Sequence, residues 1–203
     1  FKKLSPEEQV EMKKAMKSEV SSFLEREAIE IAAKQGIDPQ KLLTMRWVLT
    51  YKPVMNDQGE ISGTKPKARL IIRGFEDPNL LSLRRDSPTL ALSNRNALLA
   101  LSAIYHWPIF AGDIKTAFLN GDVLPECEHL FGDPRQEARE ILGMKDHEIL
   151  RIKKVIYGLL NAPRAWLDKL ARVLAEQGWQ RSRLEQCVWR LFDKSGQLVG
   201  LLG

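Results

Sequence analysis

The hydrophobic and polar positions of residues 5–36 repeat with the period of an amphipathic helix. Ser5-Pro6-Glu7-Glu8 is typical of a helix start, with serine as N-cap, proline in the first turn and glutamate three residues after the cap. Gly36 and Pro39 end the pattern. The segment therefore predicts a helix that packs against the rest of the protein through one stripe, formed by Met16, Val20, Phe23, Leu24, Ala28 and Ile31.

Two stretches with the composition of β-strands follow this helix. Residues 46–51 and 67–73 are rich in β-branched, aromatic and long side chains, and turn-forming residues at 56–59 and 62–64 lie between them. We expect a two-stranded antiparallel ribbon with a long, mobile tip, whose second strand ends at Gly74.

A second helix is predicted after Ser87-Pro88-Thr89, and Trp107-Pro108 ends it. Its apolar face carries Ala97, Leu98, Leu101, Ile104 and Tyr105. Residues 109–114 then predict a short, mostly apolar strand that holds a single acid, Asp113, near its end.

The segment from residue 128 to residue 145 predicts a turn and a helix, because Asp133-Pro134 is typical of a helix start. The predicted helix covers residues 134–142, and residues 148–154 have the pattern of a strand.

The last fifty residues predict a helix and a hairpin. Asn161 is the expected N-cap of an amphipathic helix that ends at Gly178. Residues 187–192 and 197–202 alternate in polarity on either side of the turn Lys194-Ser195-Gly196. Strands and helices without strict β-α-β alternation predict an α+β fold.

Composition excludes several classes of protein. The 203 residues are 44% hydrophobic and 28% charged, which is an ordinary globular balance and excludes collagen, a disordered tail or a small disulfide scaffold. No uninterrupted apolar run reaches the length of a membrane span. The start at Phe1 lacks both an initiating methionine and a signal peptide, so we expect a piece of a longer chain.

Cys127 and Cys187 are expected to be free thiols in a reducing compartment, and the three histidines have no zinc-ligand spacing.

Charge is distributed in blocks along the chain. The net charge is +5, but residues 37–75 carry +4, residues 108–149 carry −5 and residues 150–203 carry +6. Two basic blocks around an acidic one suit a protein that holds a polyanion while its carboxylates hold divalent metal. A set of solvated faces would give the same numbers, so charge alone leaves both interpretations open.

The strongest chemical signal is the segment Asp113-Ile-Lys-Thr-Ala-Phe-Leu-Asn-Gly121. A lone acid on an apolar strand is costly to bury unless it is paired, protonated or bound to metal, and Lys115 or Thr116 could be a purely structural partner. The segment also places a carboxylate, backbone N–H groups and an aromatic ring in one tight turn. A metal-bound nucleotide requires oxygen ligands for Mg²⁺, amides for phosphate and a flat wall beside the sugar.

This segment and Tyr157-Gly-Leu-Leu-Asn-Ala-Pro-Arg-Ala-Trp166 resemble the first two palm motifs of copia-type retrotransposon reverse transcriptases. Trp47-Val48, the run Lys67-Ala68-Arg69-Leu70 and Ser87-Pro88-Thr89 lie in the order that this family shows. The resemblance extends from about Arg46 to the end of the sequence. Either long motif alone would suggest this family, and the two motifs in the family's order are strong evidence of the resemblance.

The resemblance implies roles for individual residues of the first motif and the ribbon. Asp113 is similar to the first of three metal-binding carboxylates, and the carbonyl of Ile114 to an additional metal ligand. Thr116 and Ala117 would offer backbone N–H groups to the triphosphate, and Phe118 would exclude a ribose 2′-hydroxyl. Arg69 resembles the arginine that binds the triphosphate from the fingers. The accompanying lysine is Lys67 or Lys65, and we favour Lys67 because it lies in the matching run and on the same strand face as Arg69.

The second motif would line the nucleotide and the template from the floor of the palm. Its expected contributors are Tyr157, Gly158, Asn161 and Pro163. Gly158 permits close approach of the backbone and Pro163 starts a helix, which are also plain turn chemistry. Family members often carry Lys-Gln where this chain has Leu160-Asn161, so one contact is absent.

The resemblance also implies an architecture and an activity. The fold is expected to be α+β with the fingers and a partial palm of a right-hand polymerase, the palm carrying a ferredoxin-like sheet. The expected divisions are a helical lead at residues 1–36, a fingers-like region at 37–107 and a truncated palm at 108–203. The expected activity is RNA-directed DNA synthesis with Mg²⁺, or alternatively Mn²⁺.

Partners and location follow from the same resemblance. The partners would be an RNA or DNA template with its primer, deoxynucleoside triphosphates, and the integrase and RNase H segments of a Pol polyprotein, without a membrane. We expect the cytoplasm, within virus-like particles, and leave a nuclear stage open.

The chain stops before the Asp-Asp pair of the family, so we expect the fragment itself to be inactive. Two alternatives remain: a catalytically dead nucleic-acid-binding remnant of this fold, and a structural α+β domain.

Overall fold

The computed structural model describes residues 4–203, except for the side chain of Cys127. The predicted free thiol of Cys127 therefore lies outside the described residues, as do Phe1, Lys2 and Lys3. Within the described residues the chain forms two compact units. Of the described residues, the first unit holds 4–83 and 118–162, and the second holds 84–117 and 163–203. The domain boundaries expected from the resemblance differ from the boundaries of these two units and stay a prediction.

The first unit is built on a five-stranded mixed sheet. Its strands are β1 (Ile29–Ala33), β2 (Leu42–Met55), β3 (Ile61–Ile72), β4 (Leu130–Asp133) and β5 (Glu148–Ile152). They lie in the order β1-β5-β4-β2-β3, with β2 parallel to β4 and the other neighbours antiparallel. The predicted ribbon is confirmed as β2 and β3, which pair from Met45 opposite Ile72 out to Met55 opposite Ile61.

Helices α1 (Pro6–Glu25) and α3 (Gln136–Leu142) belong to the same unit. The start of α1 is as predicted: the Ser5 hydroxyl accepts a hydrogen bond from the Glu8 N–H at 3.2 Å, and the Ser5 N–H donates to the Glu8 carboxylate at 2.7 Å. Met12 and Met16 of α1 pack against Ala68 of β3, so α1 covers one face of the ribbon.

The second unit contains a three-stranded antiparallel sheet and two helical segments. The strands are β6 (Gln180–Arg181), β7 (Trp189–Phe192) and β8 (Leu198–Leu202), and β7 with β8 is the predicted hairpin. Helix α2 (Leu92–Ile104) lies in this unit, as does α4 (Ala162–Glu176) from Pro163 onward. Leu167 and Leu174 of α4 pack with Trp189 and with the buried free thiol of Cys187 in one apolar cluster.

The α+β class is thus confirmed, while the following local predictions are wrong. The first helix ends at Glu25 rather than running to Ile31, and residues 29–33 form β1. Residues 130–133, expected in a turn and helix, form β4, and α3 begins two residues later than predicted. Residues 109–114 form no strand, because no strand of the described second unit pairs with them and Phe110 is 88% exposed. Within residues 4–203, no helix has both the length and the apolar character that crossing a membrane requires.

Candidate functional site

The ribbon formed by β2 and β3 has one apolar face and one basic face. In the antiparallel register Val48 lies opposite Arg69, and Thr50 lies opposite Lys67. Because side chains alternate along a strand, every second residue of β2 counted from Val48, and every second residue of β3 counted from Arg69, lies on this same face. The cations on this face are Arg46, Lys52, Lys65, Lys67 and Arg69. Ala68 and Leu70 are buried on the opposite face, so the basic face is the one that α1 leaves open.

Positive charge is concentrated at the middle of this basic face. Burial lowers the pKa of Lys67, and contact with the Lys52 side chain and the charge of Arg69 lower it further. In the described part of the chain, none of the five cations forms an ion pair with a carboxylate. Like charges held together without a carboxylate in ion-pair contact favour an anion as ligand. Lys52 is not among the site residues predicted from the sequence, although the alternation of β2 and its pairing to β3 place it on this face.

Arg69 contacts one aromatic residue singled out by the sequence, and that residue contacts a second. Its guanidinium carbon is 5.7 Å from the centre of the Tyr157 ring, a cation–π arrangement. The Phe118 ring meets the same Tyr157 ring edge-on, with centroids 5.4 Å apart and an angle of 62°. Three predicted site residues from distant parts of the sequence are therefore adjacent within the first unit.

The position of Tyr157 is set by backbone contacts with the end of β3. The Ile72 N–H donates to the Tyr157 carbonyl at 3.0 Å, and the Gly74 N–H donates to the Gly158 carbonyl at 3.2 Å. Gly158 has φ +100°, and a Cβ at this residue would lie 2.0 Å from the Ile72 carbonyl oxygen. Only glycine meets both conditions without a backbone shift, as expected for a close approach.

Asn161 and Pro163 lie at the start of α4. Pro163 is the second residue of the helix, which agrees with the expected start. Asn161 directly precedes the helix, but its Oδ1 is buried and has no hydrogen-bond partner in the described part of the chain. This oxygen therefore does not make the predicted cap bond and stays an unsatisfied acceptor.

The segment that carries Asp113 is irregular. Asp113 is exposed, as is Ile114 at 50%. Thr116 has φ +51°, a conformation that a threonine rarely adopts, and its hydroxyl donates to the Lys115 carbonyl at 2.7 Å. Ala117 begins a short 3-10 helix, Ala117–Asn120. Asp113 to Ala117 belong to the second unit, whereas Phe118 belongs to the first, so the motif is divided between the two units.

A buried arginine that the sequence analysis did not single out organises part of the second unit. Arg164 is 8% exposed and donates to the carboxylates of Asp86, at 2.5 Å, and Asp168, at 2.9 Å. Hydrogen bonding from Arg84 and the charge of Arg164 hold the pKa of Asp86 below its usual value. The Cys187 thiol donates to the Pro88 carbonyl at 3.1 Å, so the segment around Ser87-Pro88-Thr89 is tied to α4 and to the second sheet.

Residues 35–202 match the family model described as reverse transcriptase (RNA-dependent DNA polymerase). The chain belongs to the reverse transcriptase family. Its resemblance to copia-type members is also confirmed by curated relatives.

The retrovirus-related Pol polyprotein from transposon TNT 1-94 of Nicotiana tabacum is 29% identical over 98% of this chain and 14% of its own length. The corresponding polyprotein from transposon RE2 of Arabidopsis thaliana is 30% identical over 68% of the chain and 9% of its own length. The transposon TyH3 Gag-Pol polyprotein of Saccharomyces cerevisiae is 26% identical over 77% of the chain and 8% of its own length. The chain thus spans a small part of each relative. No solved structure matches it.

Reverse transcriptases generally use divalent metal ions, so the donors present in this chain can be compared with that requirement. Asp113 would contribute one carboxylate and Ile114 a carbonyl oxygen. Two metal ions that act together need several converging carboxylate oxygens. In the part of the chain that the structure describes, no group of three or more His, Cys, Asp or Glu residues could hold a metal ion. These residues do not make a complete two-metal site.

Proposed function

We propose that this reverse transcriptase family chain binds the incoming deoxynucleoside triphosphate and the template–primer for RNA-directed DNA synthesis. The observation that carries the proposal is the adjacency of Arg69, Tyr157 and Phe118 at the basic face of the ribbon. In the reaction the primer 3′-oxygen forms a bond to the α-phosphorus, and the bond to the leaving pyrophosphate breaks. The chain would contribute positive charge for the phosphates and a wall for the sugar.

Arg69 and Lys67 would bind the triphosphate, with Lys52 as a third cation beside them. A guanidinium can donate two parallel hydrogen bonds to a phosphate, which a lysine cannot. Phe118 would contact the sugar and exclude a 2′-hydroxyl, since its ring is held against Tyr157. The N–H groups of Thr116 and Ala117 would reach the phosphates.

The remaining predicted residues complete the proposal. Tyr157, Gly158, Asn161 and Pro163 would form the floor under nucleotide and template, and the unsatisfied Oδ1 of Asn161 is an acceptor that a nucleotide can use. Asp113 and Ile114 would contribute two oxygen donors to Mg²⁺, and further carboxylates are needed.

We extend the proposal to the architecture and the setting. Residues 37–107 would act as the fingers and residues 108–203 as the palm of a right-hand polymerase. The chain would work beside other Pol segments in the cytoplasm, within virus-like particles.

Primer extension on an RNA template tests the proposal. The 203-residue chain and the longest polypeptide that its gene encodes are assayed with Mg²⁺, each with an Asp113→Asn variant. We expect extension by the longer polypeptide, lost with Asp113→Asn, and none by the 203-residue chain. Salt-dependent binding of the template–primer without extension by either protein would favour the catalytically dead remnant. The absence of both binding and extension would favour a structural domain.

A further inference from the structure

Glu19 of α1 is fixed at the edge of the strand that carries the proposed triphosphate-binding residues. In the sheet order of the described residues β3 is an edge strand, so none of their strands pairs with its outer side. The Glu19 carboxylate accepts a hydrogen bond from the Leu70 N–H at 3.3 Å, and thereby satisfies a backbone donor on that side. Leu70 directly follows Arg69, so the carboxylate is tied to the backbone next to the arginine.

The charges of Arg69 and Lys67 act on this carboxylate. Burial raises the pKa of Glu19, while the hydrogen bond from Leu70 and the positive charges of Arg69 and Lys67 partly offset that effect. The negative charge of Glu19 in turn acts on Lys67 and favours its protonated form. No ion pair within the described residues joins Glu19 to either cation. Both cations therefore stay available to a ligand while a fixed negative charge lies beside them.

We propose that Glu19 weakens the binding of polyphosphate to the basic face of the ribbon, because its negative charge offsets part of the positive charge of Arg69 and Lys67. The inference rests on the proposed function, in which this face binds a triphosphate. A carboxylate that cannot move away repels the phosphates and weakens their binding. Because pyrophosphate must leave after every nucleotide addition, such weakening favours turnover. Glu19 does not touch the ligand and acts only through its charge.

Binding of inorganic tripolyphosphate to the 203-residue chain at low ionic strength, measured by calorimetry without divalent metal, tests the inference. Glu19→Gln removes the charge and keeps an oxygen that can accept from Leu70. We expect Glu19→Gln to bind tripolyphosphate about three- to tenfold more tightly, the effect of one charge at close range in a partly solvated site. Glu11→Gln is the matched control, since Glu11 lies on the same helix, is exposed and pairs with Lys14 at 2.6 Å. It should leave the affinity unchanged.

A urea unfolding curve separates this role from a purely structural one. Because burial raises the pKa of Glu19, its charged form is disfavoured in the folded state, and Glu19→Gln should unfold at the wild-type midpoint or above it. A lower midpoint combined with unchanged affinity would assign Glu19 to the fold alone and overturn the inference.

Arg69→Gln distinguishes the inference from the function on which it rests. If Arg69→Gln weakens tripolyphosphate binding and Glu19→Gln does not tighten it, only the role of Glu19 is overturned. If Arg69→Gln leaves binding unchanged, the triphosphate-binding face itself is wrong, and the role of Glu19 falls with it.

Discussion

At the scale of single residues, the basic face of the ribbon owes its chemistry to cations that form no ion pair with a carboxylate of the described residues. Arg69 contacts the Tyr157 ring, which orients its guanidinium without neutralising it. Burial lowers the pKa of Lys67, and the adjacent Lys52 side chain lowers it further. An interaction of this kind raises the electrostatic energy of the free protein and is relieved when an anion binds.

Arg69→Ala should weaken nucleotide use far more than template binding. A charge-assisted hydrogen bond contributes about 1.5–3 kcal/mol, so KM for the deoxynucleotide should rise about tenfold or more. Arg69→Lys should recover little, because it cannot make paired bonds to phosphate. Steady-state primer extension in the longer polypeptide measures both values. Lys65→Ala, four residues along the same face, is the control and should change KM much less. An unchanged KM in Arg69→Ala would make Arg69 a structural residue.

Phe118→Val should relax the discrimination between deoxyribonucleotides and ribonucleotides. The ring is half-buried and held edge-on against Tyr157, so it presents a rigid wall, and a smaller side chain opens space for a 2′-hydroxyl. The ratio of ribonucleotide to deoxyribonucleotide incorporation should increase. Thermal unfolding of the same variant shows whether the fold is kept. A constant ratio in a folded variant would mean that Phe118 only packs.

At the scale of helices and strands, the elements that sequence could predict are those with local signals. The capping box of α1 and the turn between β7 and β8 are each determined by a few consecutive residues. The end of α1 is not: Glu27 takes φ +51°, and the Ala28 N–H donates to the Phe23 carbonyl at 2.9 Å, a helix end that usually contains glycine. With glutamate at this position, the helical pattern of the sequence continues through the residues that form β1.

Strands β1 and β4 depend on partners far away in the sequence. Residues 29–33 pair with residues 148–152, and β4 lies between β5 and β2. Local periodicity carries no information on such pairing. The same reasoning explains residues 109–114, where an apolar pattern predicted a strand that has no pairing partner in the described second unit. Of the candidate site, the sequence predicted Arg69, Phe118 and Tyr157 individually, but their adjacency depends on the contact between β3 and the Tyr157-Gly158 turn.

Gly158→Ala should destabilise the first unit strongly. The new Cβ would lie 2.0 Å from the Ile72 carbonyl oxygen at a residue with φ +100°, so both strain and a backbone shift add to the cost, about 2–4 kcal/mol together. Gly59→Ala is the matched control, because Gly59 also has a positive φ, +80°, but has nothing within 4 Å of its Cβ position. It should cost about 1 kcal/mol. Urea unfolding measures both free energies, and equal values would show that the contact with Ile72 does not hold the turn.

At the scale of the whole molecule, the net charge of +5 is less informative than its location. The block of +4 at residues 37–75 is largely the basic face of the ribbon, which β-strand alternation gathers on one side. The charges of α1, which cancel within residues 1–36, belong to a helix on the other side of the ribbon. Lysines on the basic face should therefore contribute more to binding of a nucleic-acid backbone than lysines of α1, although both contribute equally to the net charge.

Removing Lys52 and Lys65 together by alanine substitution should reduce the salt dependence of template–primer binding. Each phosphate contact contributes about 0.9 to the slope of log K against log salt, so the slope should fall by about 2 if both lysines contact the backbone. Lys13→Ala with Lys17→Ala is the matched control, since both are exposed on α1 and the pair changes the net charge equally. Fluorescence anisotropy over a salt series measures the slopes. Equal slopes for the two double variants would show that binding follows net charge, and that the basic face is not where the duplex lies.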